Sequence, residues 1–244
     1  MYIRLKHALS ELTLEAVATP HQARCTAWLG AYAAIASAGE AVSLSTVRVS
    51  ARQLAAPIGW RLDPADLRPA TRRRILWRGG DRIALPRAHR PHWGYFAPQA
   101  RRLYRAVAHL HRHPSHDRLP DVLYRGLVLL DCGLFFSCHE YFEGVWRQMQ
   151  GPDRAFYHGL IQVGAAFYHH EKGNRHGAVT LLRRAVDKLT PYASGCLGLD
   201  VAGLIRALRP WEDRFARGEP SPYPVFVIGS PPSTYDACQK TGGP

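Results

Sequence analysis

Apolar positions recur at helical spacing through the second half of the chain and fall into shorter, mixed runs in the first. The stretches "DVLYRGLVLLD", "LFFSCHEYFEGVWRQMQ", "RAFYHGLIQVGAAFYHHEK", "RHGAVTLLRRAVDKLTPY" and "GLDVAGLIRALRPWEDRF" each space them at three and four, which predicts five amphipathic helices. Punctuation agrees with that reading. Pro120 opens the first helix, Cys132-Gly133 turns it, Gly151-Pro152 ends the second, Asp153 caps the third, and Gly173-Asn174 provides a left-handed stop. Connections this short place neighbouring helices antiparallel around a common core.

The first half reads differently. Residues 10–39 form a helical segment with Ser10 as N-cap and an interruption at Pro20. Beyond it come a β-branched run, "SLSTVRVS", helices over "SARQLAAPIG" and "DPADLRPATRRRI", and two strands in "ILWRGGDRIALP" about an Arg-Gly-Gly-Asp turn. Helix, helix and basic hairpin is the order of a winged helix-turn-helix. "HRPHWGYFA", residues 89–97, reads as a linker, followed by a helix over 98–112 carrying Arg101, Arg102, Arg105 and Arg112 opposite Leu103, Val107 and Leu110. In "HLHRHPSHD", Pro114 breaks the helix that would align His109, His113 and His116, so this is a solvated loop with adventitious metal binding at most.

The expected fold is therefore mainly α. A five-helix antiparallel bundle-like domain covers residues 120–217, preceded by a basic, winged-helix-like α+β module over 1–97 and a linker helix with a His-rich loop over 98–119. Residues 218–244 are a Pro/Gly-rich tail, extended or disordered, in which "YPVFVIG" is the part able to pack on the body.

Charge sharpens this division. Of the net +13, residues 1–120 hold 19 Lys+Arg against 7 Asp+Glu, and the remainder 13 against 12. Such asymmetry points to an anionic partner, nucleic acid first, met through residues 1–118. Only four of the 32 basic residues are lysines, so a general arginine habit is the competing explanation. Five cysteines, scattered and never in a CxxC pair, indicate reduced thiols in a cytoplasmic protein. "HALSELTLE" after Arg4 and Lys6 is not a signal peptide, and no stretch suits a membrane span.

"SCHEYFEGVW" carries the candidate chemistry. One side of this helix holds Phe135, His139, Phe142, Glu143 and Trp146, with Glu140 and Arg147 on other, solvated faces. The next helix has a matching stripe, Ala155, Gly159, Gln162, Ala166 and His169. Packed antiparallel at about 8–10 Å, the two faces would gather His139, Glu143, Gln162 and His169 in one pocket with Phe142, Trp146, Gly159 and Asn174. Two imidazoles and a carboxylate, His139, His169 and Glu143, are the ligand set of an open zinc or iron site for metal-assisted hydrolysis. Position 143 is Glu where HExxH zincins need a second histidine, so this is not a zincin. The competing readings are a buried hydrogen-bond network in which Glu143 and Gln162 satisfy His139 and His169, and a small-ligand pocket. His158 and His170 read as surface, Tyr141, Tyr157 and Tyr168 as core or rim, and Cys138 diverges too far from His139 to pair with it. Nucleotide-cofactor motifs are absent.

"CHEYFEGVWR", "YHGLIQVGAAFYHHEKGNRHGAVTLL" and "YASGCLGLD" in this order resemble the family catalogued as domain of unknown function 309, over about residues 120–207. His139, Glu143 and Trp146 stand in its H-x3-E-x2-W signature. Gly159, Leu160, Ile161, Gln162, His169, Gly173, Asn174, Gly177 and Ala178 follow its second block. The resemblance implies a compact all-helical fold; it does not settle an activity, for which the His/Glu motif suggests a metal-dependent hydrolase. The first hundred residues lie outside it.

Overall fold

A 17-residue helix, α1 (Tyr2–Ala18), begins the chain in the computed structural model, which describes residues 2–220 and 222–227. Ser10, expected to cap a helix, is buried at its middle, because Leu5 and Leu9 continue the apolar spacing of Leu12 and Ala16 toward the N-terminus. Thr19 is extended, as befits the residue before proline, and the chain resumes in α2 (Pro20–Ala23) and α3 (Cys25–Ile35). Trp28, Leu29 and Tyr32 are fully buried, and α3 is buried from Cys25 to Ala33.

"SLSTVRVS" supplies only a two-residue strand, β1 (Val42–Ser43), before helix α4 (Leu44–Ala55). Here local capping overrides β propensity. The Ser43 hydroxyl accepts the Ser45 N–H at 3.2 Å, and Leu44, Val47, Ala51 and Ala55 fall on one buried stripe. "DPADLRPATRRRI" forms a 3-10 turn (Pro64–Leu67) and the short α5 (Arg68–Arg72), with an Asp63/Asp66 capping box at the start. The hairpin follows as β2 (Trp77–Gly79) and β3 (Arg82–Ala84), and β1 pairs antiparallel with β3 to give the sheet order β1-β3-β2.

The expected linker at 89–97 is instead a 3-10 turn leading into α6 (Trp93–Arg112). Its aromatics are structural: Phe96 is fully buried, and Trp93 and Phe96 both meet Tyr32 edge-on. Next come α7 (Asp121–Asp131), α8 (Phe135–Gln148), α9 (Asp153–Glu171) and α10 (Arg175–Leu189). The last expected helix is divided at Pro210 into α11 (Val201–Leu208) and α12 (Pro210–Arg217), so the five-helix pattern is not kept.

The molecule is thus mainly helical with one small sheet, and α9 is flanked by α8 and α10. A single hydrophobic core runs through both halves, and α1 packs on α6 and α8. The arginines of α6 join them: Arg101 donates to the Ala33 carbonyl at 3.0 Å, Arg102 to that of Gly133 at 3.0 Å and Arg105 to that of Asp131 at 3.1 Å. Arg102 also pairs with Glu171. Among the described residues no helix is long and apolar enough to cross a membrane. Cys25, Cys132, Cys138 and Cys196 are free; Cys238 and the tail from residue 228 lie outside the described residues.

Candidate functional site

Helix α8 buries Phe135, Cys138 and Phe142 and leaves His139, Glu140 and Glu143 half-buried along its edge. One ligand atom from each of those three lies within 4.8 Å of the others. His139 Nδ1 is 3.2 Å from Glu140 Oε1, and Arg147, one turn further, donates to Glu143 Oε1 at 2.8 Å. Glu140 is therefore not on a separate solvated face. Its side chain, 34% exposed, swings back across the roughly 100° between helix neighbours to reach the imidazole. One imidazole and two carboxylates suit a divalent transition metal.

Helix α1 supplies the surroundings of this cluster. Lys6 Nζ sits 3.7 Å above the Phe136 ring, and burial lowers the pKa of its amine while Glu140 opposes that shift. Phe136 lies beside His139, with ring planes 18° apart. Glu140 also borders a cleft of about 430 Å³ walled by Leu14, Val122, Tyr141, Val145 and Met149.

His169 lies outside this cluster. Its Nδ1 is 2.7 Å from Asn174 Nδ2, while Asn174 Oδ1 accepts the Gly177 N–H at 2.9 Å and so caps α10. The expected stripe of α9 faces the wrong neighbour for a shared pocket: a Cβ on Gly159 would meet Leu189 of α10 at 2.8 Å. Contact with α8 is made five residues on, at Gly164, where a Cβ would lie 3.3 Å from both His139 N and Phe135 O. Gln162 Oε1 is buried with no hydrogen-bond partner among the described residues, so the proposed network through Glu143 and Gln162 is not formed.

The other expected pocket residues also disperse. Phe142 is fully buried against Gly126 of α7, and Trp146 lies under the Arg154 guanidinium at 3.9 Å. His170, expected at the surface, is 9% exposed and stacks on Phe215 at 4.6 Å. Cys138 is wholly buried, which pushes its thiol pKa up and makes it a poor nucleophile. His109 Nε2 is 2.8 Å from the Tyr124 hydroxyl; burial, then His113 and Arg112, push its pKa down to about 4. Among the described residues the His-rich loop assembles no metal-ligand group.

In the first half, Arg52, Arg61, Arg68, Arg72, Arg74 and Arg78 are exposed, and none forms an ion pair among the described residues. Between residues 40 and 90 the described ion pair is Arg73 with Glu15. In the second half Arg125, Arg147, Arg183, Arg206, Arg214 and Arg217 are each beside a carboxylate, while Arg175, Arg184 and Arg209 are exposed without one among the described residues.

Fold and site together define a mainly helical protein with a basic, sheet-bearing first half and a His/Glu cluster on α8. Residues 123–181, from α7 into α10, match the family described as Domain of unknown function (DUF309). Over 78 residues, 31% of its length, the chain is 33% identical to the Uncharacterized protein YpuF of Bacillus subtilis (strain 168), of which it spans 45%, less than half. No solved structure matches the chain significantly.

Proposed function

We propose that the protein binds nucleic acid through its basic first half. One observation supports this reading: Arg52, Arg61, Arg68, Arg72, Arg74 and Arg78, on and around α4, α5 and the β2–β3 hairpin, are exposed and form no ion pair among the described residues. Guanidinium groups left unpaired in this way release counterions when they meet phosphates, which drives association and makes it salt-dependent. Arg101, Arg102 and Arg105 of α6 each tie one donor to a backbone carbonyl, so the exposed arginines of residues 52–78 are the ones assigned to this surface. The test uses the full chain, since cutting at residue 118 would expose the faces of α1 and α6 that meet the second half. Titrated against labelled duplex DNA and RNA, it should bind with log K falling linearly against log salt. Replacing Arg72 and Arg74 with Gln should flatten the slope by about two. No binding at low salt, or no slope, rejects the reading.

A second reading has its own observation, the His139/Glu140/Glu143 cluster. We propose that this cluster, with Glu140 in place of His169, holds a zinc or iron ion as part of a metal-dependent hydrolase. A metal held there would supply Lewis acidity and an activated water. The chain's own residues have separate tasks. Glu140 orients the His139 ring, Arg147 holds the Glu143 carboxylate, and the cleft beside Glu140 offers apolar walls to a substrate. Metal analysis of purified wild type, His139→Ala, Glu140→Gln and His169→Ala separates the alternatives. One ion per chain in wild type and His169→Ala, lost in the other two, supports the cluster; metal-free wild type sinks it. Free cysteines support a reducing, cytoplasmic setting.

A further inference from the structure

We propose that the recess beside the β2–β3 hairpin receives an unpaired nucleobase, so that the preferred ligand of the basic half is a single strand or an unwound junction. This rests on the nucleic-acid reading above and names the ligand class. Trp77 begins β2 directly after the buried Ile75 and Leu76, yet its own side chain is 51% exposed. The indole lies across Gly79, where a Cβ would stand 2.2 Å from the ring; any larger residue at 79 would displace it. Thr71, Leu76, Trp77, Arg78 and Gly80 line a recess of about 490 Å³ against the ring.

The hairpin bearing this ring is held in place. Ser43 Oγ donates to Asp81 Oδ2 at 2.9 Å, the Leu44 N–H donates to the Asp81 carbonyl at 2.8 Å, and Arg82 donates to the Ala41 carbonyl. A π-face on a fixed support, with Arg72, Arg74 and Arg78 exposed and free of ion pairs nearby in sequence, matches the two needs of a splayed nucleotide: stacking for the base and cations for its phosphates. The lining contains no carboxylate or amide to read a base edge. Stacking there is tolerant of sequence, and the Arg78 guanidinium and the Thr71 hydroxyl are the side-chain donors the lining offers to a base edge or a sugar.

The test uses the full-length chain and three labelled probes: oligothymidylate and oligouridylate of about 15 nucleotides, and a duplex of the same length. Fluorescence anisotropy at two salt concentrations is recorded for wild type, Trp77→Ala and Trp77→Phe. Single-strand binding should weaken about tenfold in Trp77→Ala and stay close to wild type in Trp77→Phe, with the salt slope unchanged in both. Duplex binding should be weaker than single-strand binding and unaffected by either substitution. Loss on the deoxy probe alone, the ribo probe alone or both supports the proposal and names the strand. Unchanged affinity in Trp77→Ala, or a duplex preference, overturns it while the nucleic-acid reading stands; absence of binding to every probe removes both. Identical thermal melting of the variants excludes misfolding as the cause.

Discussion

The carboxylate of Asp131 accepts the backbone N–H of Phe226 at 2.9 Å, and with its other oxygen that of Val227 at 2.8 Å. Asp131 is buried at the end of α7, and the segment it holds brings Tyr223 onto Phe135, Phe167 and Trp211. The packing expected of "YPVFVIG" is thus realised in its described part by two charge-assisted hydrogen bonds and an aromatic cluster.

Asp131→Asn should release this segment. An amide has one acceptor oxygen and adds a donor, so one of the two backbone N–H groups faces the wrong chemistry. The expected loss is about 1–3 kcal/mol in urea denaturation, with earlier chymotryptic cleavage after Phe226. Equal cleavage rates in wild type and variant would show that the carboxylate does not anchor the segment.

Gly126→Ala tests the α7–α8 contact. Its new methyl would fall 2.2 Å from the Phe142 ring, which is fully buried and has little room to withdraw. Overpacking of this kind costs about 1–3 kcal/mol, and a smaller partner, Phe142→Leu, should recover part of it in the double variant. Additive losses would place the strain elsewhere.

His109 gives the fold an acid sensitivity. Its folded pKa, about 4, lies below the ordinary histidine value, so the unfolded chain binds the proton first. The stability it contributes is complete above pH of about 6.5 and falls as pH drops toward 4. His113 and Arg112 oppose protonation, and Tyr124 hydrogen-bonds the ring. The melting temperature of wild type should therefore decline more steeply across this window than that of His109→Gln, measured side by side by circular dichroism. Parallel curves would assign the acid sensitivity to other groups.

Asn174→Ala should cost about 1 kcal/mol, because it removes the cap of α10. The same substitution deprives His169 of its partner. Zinc binding to the α8 cluster, followed by calorimetry, should be unchanged. A lost zinc site would return His169 to the ligand set.

Much of this architecture was legible in the amino-acid order. The second-half helices, the hairpin at Trp77–Ala84 and the left-handed stop at Gly173 follow from local periodicity and turn chemistry. Reading failed where two local rules competed, as at "SLSTVRVS", where a serine cap and a buried stripe outweighed β-branching. It also failed at residues 93–97, where aromatic residues that resemble a linker are the buried face of α6.

Pairing was the other boundary. The sequence alone determined that His139 and Glu143 share the edge of a helix, and that the following helix carries small residues. Tertiary structure decided that Gly159 meets α10, that Gly164 meets α8, and that Glu140 rather than His169 stands beside His139. Periodicity reports which positions leave water, because burial repeats with the helix turn. It does not report what they are buried against, since that depends on where the smallest side chains let two backbones come closest.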